Sequence, residues 1–472
     1  MEPEKARITE ELANFVVNTR PEDFPPEVQH IAKRCIIDGT GVILAGSTEP
    51  CTRIVRDYVR SVEGKKESTL LDKGKNQAPA HLAALVNGTA GHAMDWDDTA
   101  LSNTADRAAL LHPTLPPLVA GLAVGEKLGR SGREFLTAFL VGFEVECKIA
   151  EAIHPDHWVR GFHTSNTCGV FGATAAAAKL MGLPGKQVRS AFGIATSMAA
   201  GVIVNFGTMA KPLHMGRAGE NGIVSAQMAA LGFEAHPDAL EGPYGFFHAF
   251  AGGFNPDKIH GKLGRPFSIV DPGVSIKPYP CGALGHPAMD AMRALVIQHD
   301  LRPEDVDYVK VATGSNVLPP KGPLRYKKAQ TALEAKFCLP FQMAAMMIRR
   351  KAGIKEFTEE FAQSPAVQEL MDRVEAVVDP GIDALGRHKI VSVIEVRLKD
   401  GRILRGKSSE HYRGGPHNPL TREELAEKLN DCVQRVLNPD QSRKLLETIE
   451  SLEKLSSIRT LIEMAVPWSP GR

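Results

Sequence analysis

The sequence predicts a mainly α protein: a large all-helical domain formed by both chain ends, with a smaller α+β domain inserted between them. Three observations carry this expectation. Long apolar stretches without a wide polar face fill the first half, the texture changes near residue 268, and helical periodicity returns at the C-terminal end. A chain of 472 residues also exceeds what one hydrophobic core usually serves. The expected division assigns residues 1–272 and 406–472 to the helical domain and 273–405 to the insertion.

Taken in order, VQHIAKRCIIDGTGVILA (28–45) and REFLTAFLVGFEVECKIAEA (133–152) are apolar around most of a helical circumference. Such helices are buried on several sides. GVFGATAAAAKLMG (169–182) and SAFGIATSMAAGVIV (190–204) are rich in Ala and Gly, which let helix backbones approach closely at the centre of a bundle. The stretch SIVDPGVSIKPYP, from residue 268, then brings three prolines and no helical period. VDYVKVAT (306–313) is rich in β-branched residues, and VIEVRLKDGRILRG alternates with period two around a hairpin turn at Asp400-Gly401. ALEAKFCLPFQMAAMMIRR, between these strands, reads as helix. At the end, Thr421 and Glu424 form a capping-box pattern, and DQSRKLLETIESLEKL is amphipathic.

Bulk composition excludes several function classes. Lys plus Arg is 56 and Asp plus Glu is 55, so nothing in the net charge favours a nucleic acid or an anionic membrane as partner. Seven cysteines are scattered with no CxxC pair, against a zinc ribbon or a local iron–sulfur motif. An odd, low number suits free thiols in a reducing compartment. MEPEKARITEELANF reads as a surface helix rather than a signal peptide, and no apolar run is long enough to span a bilayer. A cytoplasmic protein is expected.

Five polar clusters interrupt this apolar sequence. HAMDWDDTA (92–100) crowds Asp95, Asp97 and Asp98 around one of only three tryptophans. LLHPTLPP holds His112, and HPDHWVRGFHTSNTCG holds His154, His157 and His163. NFGTMAKPLHMGRAGENG holds Lys211, His214 and Arg217, and SIKPYPCGALGHPAMDA holds Lys277, Tyr279 and His286. Lys211 and Lys277 each precede a proline, which favours an extended backbone and a fixed exit for the side chain. A lysine held this way is a positioned charge for a carboxylate, or simply a surface residue beside a turn. Histidines suit proton transfer near neutral pH, although most of the sixteen must be structural. His163 stands at a loop-to-helix junction, where backbone amides can also receive an anion. Asp97 and Asp98 read most simply as acids at a helix N-terminus. The His154/His157 pair is interrupted by Pro155 and no HExxH spacing occurs, so no metal site is expected.

Across nearly its full length the chain resembles the MmgE/PrpD family. The matching pieces, in order, are NGTAGHAMDWDDT, the HP of LLHPT, FHTSNTCGVFGATAAAAKLMGL, NFGTMAKPLHMGRAGENG, LEGPYGFF and KPYPCGALGHPAMDA, with EAKFCLPFQMAA and NPLTREEL. The family includes 2-methylcitrate dehydratases, cis-aconitate decarboxylases and iminodisuccinate epimerases. The resemblance implies an all-helical domain with an α+β lid, a homodimer, and a site between the domains with neither metal nor organic cofactor. The positions it marks as the site are Asp95, Thr99, His112, His163, Lys211 and Lys277. Two departures stand out. Phe341 occupies a position where the family often has tyrosine, and ALSNTADRAALL, with Asp106 and Arg107, is longer than in the decarboxylases.

The implied reaction is a cofactor-independent lyase step on a small di- or tricarboxylate, of the 2-methylcitrate dehydratase type. Decarboxylation and epimerisation are close alternatives, since all three develop charge on an anionic fragment that fixed cations stabilise. Lys211 and Lys277 are expected to hold carboxylates, and His112 and His163 to divide the roles of base and acid. Asp95 and Thr99 are expected to orient a histidine or the substrate, with Trp96 packed behind as core. A non-catalytic carboxylate-binding protein is a reading from another class, and a metal-dependent hydrolase is a third.

Overall fold

The computed structural model describes residues 7–74, 76–101, 110–386 and 388–466. Asp106 and Arg107 therefore lie outside the described residues. The protein is mainly α, with a four-stranded sheet and a minimal two-stranded one.

One hydrophobic cluster runs from Ile8 to Ile276 and takes in Leu420 through Val466, so both ends of the chain share a core. The apolar stretches expected to be helical are the helices Pro26–Gly46 and Gly132–Ile153, the second opened by a capping box of Ser131 and Glu134. The helix Gly169–Met181 lies at the centre, with eleven of its thirteen residues buried against neighbours. One expectation fails here. The helix starting at Gly185 ends at Thr196, and beyond it only a 3-10 turn, Ile203–Asn205, overlaps the stretch expected to be helical. Gly201 takes φ +111°, outside the helical range, and its carbonyl instead accepts the His163 amide at 3.0 Å.

A second cluster spans Tyr279 to Leu398. Its sheet has the order Val374–Val378, Val306–Thr313, Ser392–Leu398, Ile403–Lys407. The first pair is parallel and the other two are antiparallel, the last being the hairpin expected around Asp400-Gly401. A register shift between Val306 and Tyr308 lets Val306, Val309, Val311 and Thr313 all face inward despite their uneven spacing. The helices His286–Gln298 and Leu339–Arg349 pack against this sheet and each other. Thr421 and Glu424 form the expected capping box at the head of Arg422–Val433, which returns the chain to the first core against Pro26–Gly46.

Two helices position most of the site. Ala80–Ala93 ends just before the acidic turn, and Ala210–Ala230 carries Lys211 and His214 in its first turns. They cross at glycines. A Cβ on Gly88 would lie 2.8 Å from the Gly216 Cα, and one on Gly216 would lie 2.3 Å from the Leu85 carbonyl oxygen. Backbone meets backbone, so there is no flexible side chain to yield. Gly216→Ala is expected to destabilise the fold by about 1–3 kcal/mol, in the range of overpacked cores. Urea denaturation checks this, and an unchanged midpoint would mean that the crossing can open without penalty.

Candidate active site

The acidic turn Met94–Thr99 is buried and serviced by cations from distant parts of the chain. Lys336 Nζ donates to the Met94 carbonyl at 2.7 Å, Lys277 Nζ to the Asp95 carbonyl at 2.9 Å, and Lys428 Nζ to the Trp96 carbonyl at 2.8 Å. His112 Nδ1 donates to the Asp98 carbonyl at 2.6 Å. Buried carbonyls without water need such donors. The turn begins with a left-handed residue, Asp95 at φ +51°, a conformation that Asp tolerates better than most side chains.

Asp95 Oδ1 accepts from Lys211 Nζ at 2.6 Å and Lys277 Nζ at 3.1 Å. Burial pushes this acid up, but the two ammonium groups outweigh it and hold Asp95 well below the usual carboxylate range. Its other oxygen, Oδ2, is buried with no partner. Burial also draws Lys211 down, against the pull of Asp95, and its ammonium lies 5.2 Å and 5.8 Å from the ring centres of Phe206 and Phe337.

Asp97 binds two histidines. Its carboxylate accepts from His92 Nδ1 at 2.8 Å and lies 3.1 Å from His112 Nδ1. Since the partners of both Nδ1 atoms are acceptors only, the proton of each neutral ring sits on Nδ1, which leaves Nε2 as the lone-pair nitrogen. Burial pushes Asp97 up, yet His112 and His92 hold it well below its ordinary value. His92 is itself driven down to about 3 by burial, against the pull of Asp97. His163 shares a 2.9 Å Nδ1···Nδ1 hydrogen bond with His214, so the tautomer of one ring dictates that of the other. Burial, then His92 and Lys211, keep His163 well below its ordinary value, and its Nε2 is buried without a partner. Burial and Lys211 bring His214 to about 4.

A cavity of about 540 Å³ opens onto this cluster, between the two hydrophobic cores. Asp95, Thr99, His112, His163 and Lys211 line it. Lys277 does not: it lies behind Asp95, 2% exposed. The six expected positions thus converge, but five face the cavity and the sixth braces one of them. Thr99 lines the wall with a buried, partnerless Oγ1, and its backbone pairs with Ser275 in both directions, at 2.9 and 2.8 Å.

Several local expectations are corrected. Lys211 is helical rather than extended, because Pro212 falls in the first turn of its helix, where a missing N–H breaks no helical bond. Asp95 pairs with lysines, not with a histidine. Asp97 is no helix cap but the shared acceptor of two imidazoles. Asp98 does serve a helix start, but a distant one: it accepts from the Thr114 hydroxyl at 2.6 Å, ahead of Leu115–Leu128. The amides of Asn166 and Thr167 at the His163 junction donate to the His163 carbonyl, so they are not available to an anion. Phe341 packs on Phe357 and Phe361 inside the second core and does not reach the cavity. Trp96, as expected, is core, with the Lys428 ammonium 5.2 Å from its ring centre.

His92, His214, Lys336, Lys428 and Asp38 are the residues that motif reading left unassigned. Two had a signal: Asp38 is the one acid in the apolar 28–45 stretch, and Lys336 a lone cation in EAKFCLPF. Asp38 forms a buried ion pair with Lys428. Lys428 had no signal, because it sits among ordinary surface charges of an amphipathic helix.

His92, His112 and His163 each offer one nitrogen, all within 4.8 Å of one another, and His92, Asp95 and Asp97 form a similar group. A small cation could be spanned by either set. The Lys211 and Lys277 ammonium groups bear on the same ground and repel a second positive charge.

Two family models match: MmgE/PrpD N-terminal domain over residues 10–259, and MmgE/PrpD C-terminal domain over residues 279–454. The chain is 30% identical to a cis-aconitate decarboxylase of Homo sapiens over 471 residues, covering 98% of this chain and 95% of that one. It is 27% identical to the cis-aconitate decarboxylase of Mus musculus, covering 97% and 93%. A cis-aconitate decarboxylase of Aspergillus terreus is 23% identical, covering 98% and 96%.

The buried imidazoles predict an acid-sensitive fold. His92 and His286 are held near 3 by burial, against 6.5 for free imidazole. The unfolded chain binds protons there that the fold cannot, so stability falls as pH drops from about 6.5 toward 3. Each contributes about 1.4 kcal/mol per pH unit in that window. The urea midpoint is expected to fall steadily from pH 7 to pH 5. A constant midpoint would show that these rings take up protons inside the fold.

Proposed function

The chain belongs to the MmgE/PrpD family, and on that premise we propose that it is a lyase acting on a di- or tricarboxylate by acid–base chemistry, with no organic cofactor. The observation that carries this reading is the polar end of the cavity. There Lys211, tied to Asp95, stands beside His112 and His163 in a mostly apolar wall. A substrate carboxylate seated on Lys211 replaces solvent with a fixed cation. In a low-dielectric wall that cation acts strongly on charge developing nearby.

Decarboxylation is the first reaction to test, because the relatives above carry that name. The bond between carbon and the departing carboxyl group breaks, and its electron pair passes into an adjacent C=C. The far carbon of that bond then takes a proton from a histidine nitrogen. His112 suits the donor role, since Asp97, 3.1 Å from its Nδ1, holds the ring in place. Dehydration is the second reading, and the proximity of His112 and His163, 6.3 Å apart by ring centres on the cavity wall, favours it. One removes the proton next to the carboxylate while the other protonates the leaving hydroxyl. His163 suits the base, because burial and its cationic neighbours keep it neutral. A homodimeric, cytoplasmic protein divided at 272/273 and 405/406 forms part of the same proposal.

Proton NMR in D₂O of EDTA-treated protein, offered cis-aconitate, 2-methylcitrate, citrate and iminodisuccinate in turn, separates the outcomes. Release of CO₂ marks a decarboxylase, loss of water a hydro-lyase, and deuterium uptake with inversion an epimerase. Activity lost to EDTA and restored by a divalent ion would instead support the three-histidine metal reading. Binding with no turnover of any acid would support the non-catalytic alternative. Lys211→Met is expected to lower kcat by roughly 10²–10³-fold. The fold should survive that change, because Asp95 keeps Lys277 as its counter-ion. Full turnover in a folded Lys211→Met variant would remove the lysine from the mechanism.

A further inference from the structure

The cavity is larger and greasier than a small polyacid needs. At about 540 Å³ it holds the volume of about eighteen waters at ~30 Å³ each. A six-carbon tricarboxylate has only about twelve non-hydrogen atoms, which leaves roughly a third of the space, or about six methylene-sized groups. Carbon faces most of that remainder, beside His154, Ser165, Asn316, Lys321 and His388. Leu111, Trp158, Phe206, Leu284, Phe337 and Ile390 line the cavity beyond the histidines. Water held against such a wall finds few partners, so the space favours an apolar occupant.

The charge supply points the same way. Four buried lysines gather at the acidic turn, Lys211, Lys277, Lys336 and Lys428, yet of these only Lys211 lines the cavity. Lys277 is spent on Asp95, and Lys336 on the Met94 and Pro280 carbonyls at 2.7 and 3.1 Å. Lys321, the other lysine on the wall, is exposed, so water screens it. Among the described residues, a ligand with three carboxylates would find Lys211 as the one buried lysine on the wall.

We propose that the natural substrate is a carboxylate bearing an apolar substituent of about six carbons, its carboxylate on Lys211 and its chain along Trp158, Leu284 and Ile390. This rests on the carboxylate-lyase reading above and narrows its substrate class. Leu284 packs against the second core, Trp158 sits on the short helix Asp156–Val159 and Ile390 just ahead of the strand Ser392–Leu398, so the specificity wall is assembled from distant stretches of the chain.

Calorimetric titration with succinate and its 2-methyl, 2-butyl, 2-hexyl and 2-decyl derivatives tests this, since none of these saturated acids can lose water, and turnover does not intrude. Affinity is expected to rise about fourfold per methylene, the equivalent of ~0.8 kcal/mol, up to hexyl, and then to level off. Leu284→Ser and Ile390→Ser should each flatten that slope, and Lys211→Met should weaken every member by a common factor. A flat series in the wild type, alongside turnover of cis-aconitate or 2-methylcitrate, overturns the apolar substituent and leaves the lyase reading standing. A steep series that Lys211→Met leaves untouched places the chain elsewhere and overturns it too. If no succinate binds and no acid is turned over, the carboxylate reading itself falls, and this inference with it.

Discussion

A buried run of backbone carbonyls at Met94–Asp98 is the constraint on which the rest of the site depends. Those oxygens cannot reach water, and an unpaired buried carbonyl destabilises the fold by about 1–3 kcal/mol. Three lysines and a histidine satisfy them, and each arrives from a different stretch of chain. Lys336 belongs to the second core region, Lys277 to the segment joining the two cores, and Lys428 to the C-terminal helix that returns to the first. The turn is therefore the point at which the sequence-distant parts of the molecule are pinned together. It also concentrates positive charge in the interior, which acids must then balance. Asp95 does so for Lys211 and Lys277, and Asp38 for Lys428.

This arrangement decides which charges are free to act. A buried ion is tolerable only when paired, and breaking such a pair leaves an uncompensated charge. Lys277 and Lys336 are fully engaged by the fold. Lys211 shares its acceptor with Lys277, so it alone of the three combines a rigid position with an open face. Fixed charges of this kind need no reorganisation during a reaction, which is where electrostatic catalysis draws most of its advantage.

The histidines form a second layer with its own logic. Asp97 holds His92 and His112 by Nδ1, and His214 holds His163 by Nδ1. In both cases the support comes from the far side of the ring. His92 is buried and neutral, so it orients Asp97 rather than donating a proton itself. His112 and His163, two of the histidines on the cavity wall, thus sit in unlike environments: one beside a carboxylate, the other beside a lysine and a neutral imidazole. In the proposed mechanism, that difference is what would let two chemically identical side chains take opposite roles.

Resemblance to a known family marked the six candidate site positions, and the sequence by itself determined the mainly α class, three of the sheet's four strands with the Asp400-Gly401 hairpin, and the Thr421–Glu424 capping box. These are legible because periodicity, turn chemistry and runs of small residues act over a few neighbours. Asp97 was misread for the same reason: an acid near a helix resembles a cap until its true partner, His112, fifteen residues away, is placed beside it. Only the tertiary structure decided that Lys211 faces the cavity while Lys277 stands behind Asp95. Both lysines precede proline, and nothing local separates them. Their difference arises from burial and from which carbonyls lie within reach, and those depend on how the two cores close around a single turn.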